Sequence, residues 1–100
     1  MMKWNTFVNG DCFDVMTEIE DRSVDLIFTS PPDISQTNLE NDIGLYKAFQ
    51  RRACSSFSRI AKENGFILIA QTDRKINGEI LPNHITYYNA MTDYGWKLKD

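Results

Sequence analysis

The sequence predicts an α/β chain with a mostly parallel sheet in three layers, and two apolar runs and one periodicity carry that expectation. Val24-Asp25-Leu26-Ile27-Phe28 has the length and branching of a buried strand. Phe66-Ile67-Leu68-Ile69-Ala70 is continuously apolar, as expected of a strand covered on both faces. Between them Leu45, Phe49, Ala53, Phe57 and Ile60 recur at three- and four-residue spacing, which predicts a helix from about Asp42 to Lys62. Consecutive strand–helix–strand units usually pair through a right-handed crossover. The two runs are therefore expected to be adjacent parallel strands, with Leu26 and Ile67 in the core.

The remaining elements follow in order. Trp4 to Asn9 is a modest strand candidate ended by Gly10. Asp11 is placed to cap a helix over Phe13 to Ile19, whose apolar face is Phe13, Val15, Met16 and Ile19. Glu20 to Ser23 turns into the central strand, and Asp33 to Asn41 is a polar loop at its far end. Asn64-Gly65 is expected to end the long helix, with Gly65 as a left-handed cap. Thr72 to Leu81 reads as polar and irregular. Pro82 suits the first turn of a third helix, with Ile85, Tyr88 and Met91 on one face and Gly95 at its end. Trp96 to Lys99 alternates as a strand should. No internal repeat or low-complexity segment interrupts this order.

One hundred residues make one small domain at most, burying roughly two thirds of its unfolded surface. No apolar run approaches the ~18 residues of a membrane span, and the opening Met1 to Asn5 lacks the apolar segment of a signal peptide. Cys12 and Cys54 are too few and too far apart for a metal site or a disulfide framework, and read most simply as small buried residues. A reduced cytoplasmic setting is expected. Eleven basic residues against fourteen acidic ones give a net charge of −3. Much of DNA affinity comes from neutralising phosphates, so the chain alone is a poor DNA binder by charge.

The stretch that carries chemistry is Thr29-Ser30-Pro31-Pro32-Asp33. Two prolines at a strand end leave the chain extended and stiff, with its carbonyls free to accept. In open α/β sheets that edge is where ligands bind. The motif resembles the Ser/Asp-Pro-Pro-Tyr sequence of the β-class S-adenosylmethionine-dependent DNA amino-methyltransferases. Gly10-Asp11-Cys12, the run Ser23 to Thr29, Arg59 to Ile69 and Tyr94 to Asp100 are similar to segments of the same N-terminal catalytic half. The resemblance implies a Rossmann-like methyltransferase sheet that is incomplete in this chain, residues 1–100 being a single partial domain.

What the resemblance implies can be stated residue by residue. An amine conjugated to a base ring is a weak nucleophile. Ser30 and the carbonyl of Pro31 would accept its hydrogens and return its lone pair for attack on the methyl sulfonium, with Pro31 and Pro32 holding those acceptors rigid. The target base would be flipped out of the duplex. Asp33 stands where the family has an aromatic that stacks on that base; a carboxylate cannot stack, and would either hydrogen-bond the base edge or mark a dead site. Tyr46 is either a substitute ring or an ordinary core tyrosine. Asp11 and Thr29 are the positions implied against the cofactor, Asp11 accepting from its adenine amine or serving only as a helix cap. Ser at the first motif position favours cytosine N4 over adenine N6 as the methylated amine.

The sequence holds no Phe-x-Gly-x-Gly loop and no strand-end acid to hold the ribose, so S-adenosylmethionine is expected to bind only with a missing half. In the family's sheet Trp4 to Asn9 would have no partner within the chain. The expected partners are thus a downstream or separate chain completing the cofactor site, and DNA for the complete protein, in site-specific methylation of the restriction–modification kind. The alternative is an inactive remnant or accessory module that keeps the fold and binds a partner protein. His84 lacks a nearby acid or cysteine in sequence and reads as a helix-start residue. Arg51, Arg52, Arg59 and Lys62 face either phosphates or solvent.

Overall fold

The computed structural model describes residues 5–99. In chain order the elements are α1 (Cys12–Met16), β1 (Val24–Thr29), a 3-10 turn (Ile34–Gln36), α2 (Ile43–Ile60), β2 (Ala61–Ile69), β3 (Arg74–Ile76), β4 (Glu79–Leu81) and α3 (Asn83–Asp93). The chain is α/β, and β1 and β2 pair in parallel as expected. Leu26 lies opposite Phe66, Ile27 opposite Ile67, Phe28 opposite Leu68 and Thr29 opposite Ile69.

The three layers are not all present. Among the described residues the parallel sheet has two strands, and its helices lie on one side. Met16, Ala53, Phe57 and Ile60 form a core against which Phe13, Ile19, Val24, Ile27, Ile67 and Ile69 pack. On the opposite face Leu26, Phe28, Phe66 and Leu68 remain 55, 71, 60 and 46% exposed. Successive strand residues point to opposite faces, so a largely apolar run supplies both, and the described residues cover only one. Leu26 is therefore not a core residue, whereas Ile67 packs toward the helices.

Asp42 caps α2 by accepting from the backbone N–H of Leu45. The helix ends at Ile60 because Ala61 turns extended and pairs with Val24. Its last carbonyls are not left bare, since Arg22 and Ser23 donate backbone N–H groups to Arg59 and Ile60 at 2.9 Å each. Gly65 is not the expected left-handed cap. It lies where β2 bulges against β1, and an added Cβ would sit 2.8 Å from the carbonyl oxygen of Asp25. The close approach of two backbones, not a positive φ, requires glycine there.

Thr72 to Leu81 is not irregular but contains an antiparallel hairpin, β3–β4. Asn77 and Gly78, with φ of 52° and 81°, form the two-residue turn whose twist suits such hairpins. Helix α3 buries Asn83, Tyr87 and Ala90 rather than the Ile85–Tyr88–Met91 stripe. Gly95 and Trp96 donate backbone N–H groups to Thr92 and Met91, which folds the chain back so that the Trp96 indole reaches Ser58 Oγ at 3.1 Å. Residues 96–99 form no strand, and of them Trp96 is held to α2 while 97–99 are exposed. Nor do residues 5–9, where Phe7 is fully exposed; Trp4 lies outside the described residues. Helix α1 is shorter than expected, and Cys12 is exposed while Cys54 is buried. Among the described residues no helix is long and apolar enough to cross a membrane.

Candidate functional site

The proline corner is built where β1 and β2 end together. Ala70 N–H donates to the Thr29 carbonyl at 2.9 Å, carrying the pairing just beyond the strands. This register sets Gln71 beside Ser30 and the prolines. Ser30 is exposed, and Pro31 is half-buried. The Gln71 Nε2 group lies 3.4 Å from the Pro31 carbonyl oxygen, 3.3 Å from that of Pro32 and 2.9 Å from the Tyr46 hydroxyl. Tyr46 in turn donates to the Pro32 carbonyl at 2.7 Å. Its ring is fully buried with Ile34 and Leu81 and stacks on Phe49. Tyr46 is thus a core tyrosine that anchors the corner and has no free face for a base. Burial raises the pKa of its hydroxyl, so at neutral pH it keeps the proton it donates.

Asp33 is committed elsewhere. Its carboxylate accepts from Ile34 N at 2.7 Å and Ser35 Oγ at 3.1 Å, and pairs with Arg74 Nη1 at 2.8 Å. In return the Asp33 backbone N–H donates to Gln36 Oε1 at 2.9 Å. The pair forms a reciprocal cap on the 3-10 turn. A short acceptor is what this position needs locally, and an aromatic would leave the turn and Arg74 without a partner.

Asp11 caps α1, with Oδ1 accepting from Phe13 N at 2.8 Å and Asp14 N at 3.4 Å. Asp11 and Pro32 share the wall of a groove of about 570 Å³, together with Phe13, Thr37, Phe49 and Arg52. Phe13 meets Phe49 edge to face, 5.7 Å between ring centres, and the Arg52 guanidinium lies 4.0 Å over the Phe13 ring. The groove thus joins two of the expected site residues. Thr29, Ser30, Pro31 and Asp33 lie outside its lining.

Behind the corner runs a buried polar layer that sequence reasoning missed. Gln50 Nε2 donates to Asn83 Oδ1, and Asn83 Nδ2 to the Thr72 carbonyl, each at 3.0 Å. Tyr87 lies against this layer, and burial pushes its pKa up. Gln71 carried no motif; only the register of β1 and β2 brings it to the prolines.

The other candidates are occupied by ordinary pairings. His84 does have an acid, Asp73, at 2.8 Å, and that hydrogen bond lowers the Asp73 pKa. Arg59 binds the Ile19 and Met16 carbonyls and Asp21, while Lys62 pairs with Asp25 and Arg51 with Asp93. These cations are tied to the chain's own acceptors and do not form a free phosphate-binding face. Comparison of the chain with protein-family models, curated proteins and solved structures returned no match.

Proposed function

We propose that this chain is the catalytic portion of a DNA amino-methyltransferase of Rossmann-like fold. In that reading it presents Ser30 and the Pro31 carbonyl to the exocyclic amine of a flipped base, cytosine N4 before adenine N6. The observation that carries the reading is a rigid proline corner at the shared C-terminal end of two parallel strands, flanked by a groove that holds both Asp11 and Pro32.

The donor set fits one side of S-adenosylmethionine. Asp11 uses only Oδ1 in its cap, which leaves Oδ2 for an adenine amine, and Phe13 and Phe49 offer apolar walls. The glycine loop and ribose acid are lacking in the sequence, so binding needs a second half. When bound, the cofactor supplies an electrophilic methyl group. The chain's own contribution is to accept the two amine hydrogens at Ser30 Oγ and Pro31 O, drawing the nitrogen toward tetrahedral geometry, and to hold those acceptors still.

A second reading is an inactive module that binds a partner protein. Two observations favour it: the spent carboxylate of Asp33, and the apolar face of Leu26, Phe28, Phe66 and Leu68, which none of the described residues covers. The test joins the chain to a glycine-loop cofactor half, methylates mixed-sequence DNA, digests it and identifies the nucleoside by mass. N4-methylcytosine supports the first reading, and N6-methyladenine as sole product overturns the cytosine preference. Activity that appears only after Asp33→Tyr marks a lost function. No product from either form favours the binding module.

A further inference from the structure

Gln71 presents a planar –NH2 group to one of the two acceptors that the proposed reaction assigns to the target amine, the Pro31 carbonyl. Its Nε2 faces the Pro31 and Pro32 carbonyl oxygens at 3.4 and 3.3 Å, and Ser30, the residue before Pro31, is exposed. The amide orientation is set by its surroundings, since Nε2 faces three oxygens and Tyr46 already donates its own proton to Pro32. A primary carboxamide and an aminopyrimidine share a flat nitrogen with two hydrogens, so the seated side chain imitates the group that would replace it.

At the two carbonyls the seat is weakly held, the firmest bond of Nε2 being the one to the Tyr46 hydroxyl at 2.9 Å. Both carbonyl contacts lie beyond the usual 2.7–3.2 Å range for N–H···O bonds. The Oε1 of Gln71 is buried without a donor, a strain that rotation toward solvent would relieve. Tyr46 still holds the Pro32 carbonyl when Gln71 leaves, so the corner keeps its shape while the Pro31 oxygen becomes free.

We propose that Gln71 is a displaceable placeholder, whose carboxamide occupies the amine seat at Pro31 until a base amine competes it out. The proposal rests on the amino-methyl-transfer reading and adds to it a residue that governs access to the seat. A purely structural Gln71 would stabilise the corner without opposing an incoming amine.

The test is binding, not turnover, and uses the whole chain. Wild type, Gln71→Met (similar volume, no donor) and Gln71→Ala are titrated with 2′-deoxycytidine and with 2′-deoxyuridine, which carries oxygen in place of the amine. Affinity is read from the backbone amide signals of Ser30, Asp33 and Ile34, and folding from the Trp96 indole signal. Releasing one or two competing hydrogen bonds should tighten deoxycytidine binding roughly two- to tenfold in both variants, with deoxyuridine unchanged. In wild type the Gln71 side-chain NH2 signals should move on adding deoxycytidine and stay put with deoxyuridine, a readout that needs no variant. Equal or weaker deoxycytidine binding by a folded variant, with wild type still preferring deoxycytidine, overturns the placeholder and leaves the amino-methyl-transfer reading standing. Failure of all three proteins to distinguish the two nucleosides overturns both.

Discussion

Phe66 and Ile67 are chain neighbours on the same strand, and they finish in opposite environments. Ile67 packs on the core of Met16, Ala53, Phe57 and Ile60, while Phe66 is 60% exposed. Their partners on β1 divide the same way, Ile27 inward and Leu26 outward. The two faces are equally apolar. What distinguishes them is that α1 and α2 cover one and none of the described residues covers the other. Apolarity states what a strand can bury; only the rest of the fold decides what it does bury.

That contrast breaks most sharply in the core beneath α2. Phe57→Ala should cost about 3–5 kcal/mol, as expected for an aromatic removed from a packed interior, measured by chemical denaturation. A loss under about 1 kcal/mol would mean that the covered face is not the core.

The covered side should also titrate. Burial pushes the Cys54 thiol up from its ordinary 9.0 to about 11, with nearby Arg51 opposing. A pKa raised by folding contributes stability that is complete below the unfolded value and lost as pH rises toward the folded one. Between about pH 9 and 11 the chain should therefore lose roughly 3 kcal/mol through this group. The raised pKa values of Tyr46 and Tyr87 act in the same direction at higher pH. Cys54→Ala should flatten the thiol's part of the loss, and an unchanged alkaline slope in that variant would remove Cys54 from the account.

The neighbouring pair gives a closer comparison. Ile67 is half-buried, so Ile67→Ala should cost about 2 kcal/mol, at the low end for such truncations. Phe66→Ala and Leu26→Ala should each cost less than about 1 kcal/mol. Equal costs for Ile67 and Phe66 would show that both faces are buried in solution.

The same contrast explains which parts of the fold were legible in the sequence. The pairing of β1 with β2 was readable, because two β-branched runs flanked one helical periodicity. The cap at Asp11 and the stiff Ser30–Pro32 corner depend on local chemistry, and sequence is local. Parity was not readable, since Phe66 to Ala70 is uniformly apolar and only Asp25 breaks the apolar run of Val24 to Phe28. The β3–β4 hairpin was signalled by Asn77-Gly78 but hidden by its polar flanks. Trp96 and Leu98 alternated like a strand, yet the turn at Gly95 sends Trp96 back to α2. At the candidate site the prolines announced themselves. Gln71 and the ion pair of Arg74 with Asp33 did not, because strand register and a hairpin bring them there from about forty residues away.

The central claim is a division of labour, in which this chain supplies the amine acceptors and a second half supplies most of the cofactor site. Labelled S-adenosylmethionine and mixed-sequence DNA test it directly, with the chain alone and with the chain joined to a glycine-loop half. The account predicts background counts for the chain alone, incorporation for the joined protein, and loss of that incorporation in Ser30→Ala. Incorporation by the chain alone, or by a joined Ser30→Ala protein at the level of its parent, would contradict it.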